Sequence, residues 1–313
     1  MQSRRVPTRR PVPARRQERA RAARLAALGS LLAVAVVGAV IVLSSTKGPA
    51  RHPAATRSNE TASKRPSAAA SAPPPASAPA PILAYHVINS APAAGSGSPS
   101  LYVPTAEFMA QMRALKAAGW RAVTLDELEA FWTRGKPLGT GKPIVITFDD
   151  GYASHYANAL PILRQLGWVG VEDLEVNGLP PSDGGLTDSQ VRGLVAAGWE
   201  LDSEGMAQAD LTTLDPLQLA EQVTTARQTL RGRYGVAANW FCYPVGHYDA
   251  AVLAAARAAG FTGATTTASG WASPQSDRFR LPRLEVAGGT SPSSLLAQIA
   301  AAKGTTSAPA ASG

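Results

Sequence analysis

The sequence predicts an α/β protein, a distorted (β/α) barrel of about seven parallel strands spanning residues 81–302 of the 313. Two observations predict it. Strand-like and helix-like segments alternate seven or eight times with short connections, the pattern of a parallel sheet wrapped by helices. Polar residues also follow directly on the ends of several apolar strands, where β/α barrels carry their working groups.

The segments before the barrel differ in composition. Residues 1–24 hold nine arginines against Glu18 and read as a basic cytoplasmic tail. From Leu25 to Leu43 no residue is charged, and at 1.5 Å per residue the run suffices for a hydrocarbon core of ~30 Å. We therefore expect a transmembrane helix over 25–45, with the N-terminus inside and the remainder outside the cytoplasm. The run exceeds the ~7–15 apolar residues of a cleaved signal peptide. Residues 46–80 are rich in Ala, Pro and Ser without hydrophobic period, and read as a disordered linker with a reach of ~30–35 Å. A similar tail is expected over 303–313.

Within the barrel, Pro81–Tyr85 opens as a strand. A helix over 106–118 follows, with Phe108, Met109, Met112 and Leu115 near helical spacing. Residues 121–124 are a strand, and Thr124 with Glu127 forms a capping box into the next helix. Residues 143–148 are a strand of buried type, 157–166 a helix and 169–176 an extended segment. Thr187 with Gln190 is a second capping box, and 199–201 a strand. Asp215, Pro216 and Gln218 start a helix that runs to about Tyr234. Strand 239–243, helix 250–259, strand 261–266, a strand within 281–286 and a helix from Ser291 to about Ala301 complete the alternation.

Charge narrows the function. The chain carries +8, but the tail holds +8 and the linker +4, which leaves −4 for residues 81–313. A mildly acidic domain excludes the electrostatic footprint of nucleic-acid binding. The basic tail suits an anionic membrane leaflet. Cys242 is the sole cysteine, so no intramolecular disulfide forms, and it reads as a small buried hydrophobe.

Four strand ends carry candidate chemistry: Tyr85 into His86, Phe148 into Asp149 and Asp150, Leu201 into Asp202, Ser203 and Glu204, and Cys242 into Tyr243 and Pro244. Adjacent carboxylates at a strand end allow one to hold a cation while the other takes a proton. Alone, an Asp-Asp-Gly is more often a solvated turn.

These residues have company. Thr147-Phe-Asp-Asp-Gly-Tyr152 resembles the first motif of the NodB-type polysaccharide deacetylases, carbohydrate esterase family four. Ala197-Gly-Trp-Glu-Leu-Asp-Ser203 resembles the approach to the second motif, Asp210-Leu-Thr212 its exit, and Phe241-Cys-Tyr-Pro-Val-Gly-His-Tyr-Asp249 the third. Ile82-Leu-Ala-Tyr-His-Val-Ile88 resembles the opening strand of the subgroup that deacetylates poly-N-acetylglucosamine. The resemblance implies a NodB homology domain that hydrolyses N-acetyl groups of an extracytoplasmic amino-sugar polymer or peptidoglycan with a divalent metal, zinc by family. It assigns Asp149 as general base, Asp150 as metal ligand and His86 as general acid, with backbone donors near Tyr243 and Pro244 facing the oxyanion.

The sequence departs from the family at the second motif. Where two histidines four residues apart are expected, it has Glu204 and Gln208. Asp150, Glu204 and the Gln208 amide would suit magnesium or manganese better than zinc. His155, on the helix leaving the strand, is expected to be structural. His247 and Trp271 are candidate substrate contacts, the latter as a sugar platform after Ser269-Gly270; the other tryptophans of the domain read as core. Two further readings stand beside the enzyme: a glycan-binding or scaffolding protein that has lost the metal site, and a metal-free hydrolase using Asp149 and His86.

Overall fold

The computed structural model describes residues 77–92 and 98–303. The expected cytoplasmic tail, membrane span, most of the linker and residues 304–313 lie outside the described residues. Among the described residues no helix is long and apolar enough to cross a membrane.

Nine strands form one sheet: β1 (Ala80–Tyr85), β2 (Trp120–Ala122), β3 (Lys142–Asp150), β4 (Val171–Leu174), β5 (Glu200–Ser203), β6 (Trp240–Cys242), β7 (Gly263–Thr265), β8 (Trp271–Ala272) and β9 (Leu284–Glu285). Seven of them run parallel in the order β9-β1-β3-β4-β5-β6-β7. A bridge from Thr265 to Leu281 ties the segment entering β9 onto β7, so the sheet curls almost shut. β2 pairs parallel with the first residues of β3. The expected distorted barrel is therefore what the chain forms. One strand was not foreseen: β8 is antiparallel, on Ala80 and Pro81 at the start of β1.

Strand alternation sorts side chains between two layers. Leu83, Tyr85, Ile146 and Phe148 face the surrounding helices, where Tyr85, Phe108 and Phe148 pack with ring centroids 5.1–5.9 Å apart. Ile82, Val145, Val171 and Trp240 form a separate interior cluster. Asp149 shares the inward parity of Val145, which puts it inside the barrel mouth.

The capping signals fold as read. After α1 (Thr105–Ala117), Thr124 forms a complete capping box on α2 (Leu125–Arg134). After α3 (Leu160–Gln165), Thr187 does the same for α4 (Asp188–Ala196). Asp215 caps α5 (Pro216–Ala220), which passes through a π-turn at Glu221–Thr225 into α6 (Ala226–Tyr234). Helices α7 (Ala250–Ala258) and α8 (Pro292–Ala301) follow, α8 capped by Ser291. The segment expected as a helix over 157–166 begins instead as a π-turn at His155–Ala159, where the Leu160 N–H reaches back to the His155 carbonyl. Pro161 has no N–H to continue the normal ladder, which favours the wider turn.

Two glycines test the packing. A Cβ on Gly263 in β7 would run into the Arg278 carbonyl oxygen and stand 2.5 Å from the Trp240 ring. Gly263→Ala is expected to cost about 1–3 kcal/mol through overpacking. Gly232, in α6, has nothing within 4 Å of its would-be Cβ, so Gly232→Ala should gain up to about 1 kcal/mol from helix propensity. Urea midpoints of the two variants should move in opposite directions.

Candidate active site

Parallel strands bring their C-terminal ends to one mouth. A cavity of about 190 Å³ there is lined by His86 after β1, Asp149 on β3, Glu204 after β5, Tyr243 after β6, Thr266 and Thr267 after β7, and Arg283 before β9, with Gln208 and Gly246 at its edge.

Arg283 organises the cavity. It is 4 % exposed, and its Nη1 and Nη2 donate to the two oxygens of Asp149, each at 2.8 Å. Nη1 also donates to Thr147 Oγ1 at 2.9 Å, Nη2 to Cys242 Sγ at 3.2 Å, and Nε to the Thr266 carbonyl at 3.2 Å. This planar fork on one carboxylate is geometry that lysine cannot copy. Burial pushes the Asp149 carboxyl up, but Arg283, aided by His86 and His155, outweighs it and holds Asp149 below the usual carboxylate range. Asp173, on the neighbouring strand in register with Asp149, goes the other way: burial and the Asp149 charge push it far up. The two neighbouring carboxyls are thus pushed to opposite sides of the ordinary range. Cys242 is buried as expected, but among these charged groups rather than in apolar packing.

Asp150 turns away from Asp149. Its φ of 74° is left-handed, a conformation that costs a non-glycine residue about 1–3 kcal/mol. Its N–H donates to Glu204 Oε2 at 2.8 Å. Gln208 Nε2 donates to Asp150 Oδ1 at 3.3 Å, so the Gln208 group meeting Asp150 is a donor, where a ligand oxygen was expected. Glu175, directly after β4, completes the cluster: ligand atoms of Asp150, Glu175 and Glu204 all lie within 4.8 Å of one another. Burial raises all three carboxyls, Glu175 to about 7 and Glu204 far up, with Asp149 and Asp150 adding their charges.

His155 is structural, as expected. It is fully buried, its Nδ1 lies 2.9 Å from Glu172 Oε1, and its Nε2 meets the His86 carbonyl oxygen. Burial alone would lower its pKa, but the charge and hydrogen bonds of Glu172 outweigh that and raise it.

The remaining candidates separate. Tyr243 lines the cavity and its hydroxyl donates to the Phe279 carbonyl. Pro244 is buried and, lacking an N–H, offers no backbone donor. It opens a turn in which Val245, a β-branched residue at φ 52°, lines the cavity with Gly246. His247, exposed beyond that turn, pairs with Asp210 at 2.8 Å. Trp271 is not brought to the mouth. It sits on β8 beside Pro81 at the opposite end of the barrel, its indole N–H donating to the Ile299 carbonyl and its ring against Trp120. Arg283, Glu172, Asp173 and Glu175 were not singled out from sequence. Their signal was charge inside segments otherwise read as strands, since a charged side chain on a covered strand needs a partner.

Comparison with known proteins agrees with this fold. The family described as polysaccharide deacetylase matches residues 137–264. The Bacillus subtilis protein YxkH, whose name places it among polysaccharide deacetylases, is 30 % identical over 223 residues, covering 71 % of this chain and 77 % of its own. The poly-β-1,6-N-acetyl-D-glucosamine N-deacetylase of Escherichia coli is 36 % identical over 69 residues, 22 % of this chain and 10 % of that one. The crystal structure of BA0330 from Bacillus anthracis, also named for polysaccharide deacetylation, superposes with a TM-score of 0.63 at 26 % identity, covering 71 % of this chain and 69 % of its own.

Proposed function

The chain belongs to the polysaccharide deacetylase family, and from that premise we propose that it hydrolyses N-acetyl groups of an amino-sugar polymer outside the cytoplasm. The observation that carries this reading is a buried Asp149, held by Arg283, lining one cavity with His86. Asp149 takes a proton from the water that adds to the acetyl carbon. His86 gives a proton to the amine nitrogen as the C–N bond breaks, leaving acetate and a free amino sugar. The backbone at Tyr243 faces the developing oxyanion. Arg283 keeps Asp149 ionised and fixed, so the base does not drift toward its carboxylate neighbours. Enzymes of this family are generally metal-dependent, and a divalent cation held by Asp150 and Glu204 would supply polarisation of the acetyl carbonyl.

The stretch similar to the Escherichia coli enzyme supports poly-N-acetylglucosamine or a related polymer as substrate class. The uncharged run at 25–43 behind nine arginines supports an anchored enzyme whose domain meets envelope glycans.

The test is acetate release by the full chain from N-acetylglucosamine oligomers with β-1,6 and β-1,4 linkages. Turnover should fall about 10²–10⁴-fold in Asp149→Asn and in His86→Ala, the range of a lost general base or acid. Turnover that survives Asp149→Asn would remove this reading.

A further inference from the structure

Zinc sites draw on imidazole, thiolate and carboxylate. Among the described residues His86 is the single imidazole lining the mouth, and the other two are committed elsewhere. His155 spends one ring nitrogen on Glu172 and the other on the His86 carbonyl. His247 is exposed and paired with Asp210. The Cys242 sulfur lies against Arg283 and Asp149. A zinc site of the family's histidine type therefore does not fit the residues at this mouth.

What the mouth does offer is oxygen. Asp150, Glu175 and Glu204 come from the ends of three adjacent strands, β3, β4 and β5, and their ligand atoms lie within 4.8 Å of one another. Oxygens sharing one ion at 2.0–2.6 Å cannot stand more than about 4–5 Å apart, so the spacing permits a common ion. Glu175 points to one independently. It is 8 % exposed, and its Oε1 is buried without a hydrogen-bond partner. An orphaned carboxylate oxygen among two other carboxylates is costly unless a cation or a proton meets it, and a cation is the one partner that serves all three carboxylates at once. The neighbouring guanidinium, Arg283, is turned to Asp149 and Asp173.

We propose that Asp150, Glu175 and Glu204 form an all-oxygen cage for a hard divalent cation of the magnesium and manganese class, with Glu175 supplying the ligand that the family's histidines do not. The inference rests on the deacetylase reading for where a cation belongs, not for its identity. Oxygen-only donors narrow zinc's usual advantage over manganese, which is built on nitrogen and sulfur ligands.

The test is metal binding by the chelator-stripped full chain, followed by loss of the free Mn²⁺ electron paramagnetic resonance signal and by thermal unfolding. One Mn²⁺ should bind and raise Tm, and Mg²⁺ in excess should compete. Zinc should outcompete manganese by less than about tenfold. Glu175→Gln should weaken Mn²⁺ at least about 10–100-fold, the range seen even for partners one shell further out. Without metal, Glu175→Gln should unfold no lower than the wild type, since it removes one of three crowded carboxylates; Asp150→Asn serves as a second variant with the same expectation for Mn²⁺. Manganese binding absent below millimolar, unchanged by Glu175→Gln, or outcompeted by zinc with a preference well above about tenfold overturns the proposal. Acetate release is scored separately, so failure of the deacetylase reading with intact Mn²⁺ binding leaves the cage standing.

Discussion

Arg283→Ala is expected to abolish acetate release and to destabilise the domain by about 3–5 kcal/mol, the cost of breaking a buried ion pair from one side. The guanidinium is almost fully buried and makes hydrogen bonds to Asp149, Thr147, Cys242 and the Thr266 carbonyl. Its removal leaves Asp149 inside the barrel with no counter-charge. The Asp149 carboxyl should then rise toward its neighbours Asp173 and Glu204, which burial already holds well above the usual carboxylate range, and the base is lost as a base. Arg283→Lys separates charge from geometry. A lysine restores one positive charge but cannot reach both carboxylate oxygens in parallel. Stability should return in part, while turnover stays at least about tenfold low, because a single contact leaves the carboxylate free to rotate. Equilibrium urea unfolding and initial-rate assays measure the two effects. Wild-type turnover in Arg283→Lys would mean that only the charge at that position matters.

Local signals made most of the barrel legible. Thr124, Thr187, Asp215 and Ser291 announce helix starts because a cap is written in three or four consecutive residues. Asp149 and His86 were visible because strand ends are where barrels place chemistry. Arg283 was not, since it meets Asp149 from 134 residues away and nothing near residue 283 specifies which charge it answers. Glu175 lay within a segment read as extended, where its parity and its approach to Glu204 depend on the register of β4 with β5. Trp271 shows the reverse failure. A loop tryptophan after Ser-Gly looks like a sugar platform, but sequence does not say at which end of the barrel the loop falls, and two residues of β8 are too few to show a period. The π-turn at His155–Ala159 likewise follows from a single proline acting through the helix that receives it.

That π-turn carries the second large effect. It delivers His155 to Glu172 on β4, and both side chains are fully buried. Removing either partner leaves the other uncompensated, so His155→Ala and Glu172→Ala should each cost about 3–5 kcal/mol. Replacing both with apolar residues, His155→Leu with Glu172→Met, should recover most of that, since a buried pair exchanged for packed hydrocarbon is often neutral. Turnover should not recover with it. The His155 ring also meets the carbonyl of His86, and an orphaned carbonyl leaves the proposed acid without its anchor. The pH dependence follows from the direction of the His155 shift. Its folded-state pKa is raised above the unfolded value of about 6.5. The contribution of the His155 proton is thus fully present below that value and lost as pH rises through the folded one; burial raises the Glu172 carboxyl too, which acts with the same sign from about 4.5 upward. Unfolding midpoints of the wild type should therefore fall as pH is raised above about 6.5, and the apolar double variant should lose that part of the slope. An unchanged slope would place the stabilisation of this turn in packing alone, with the proton on His155 playing no part in it.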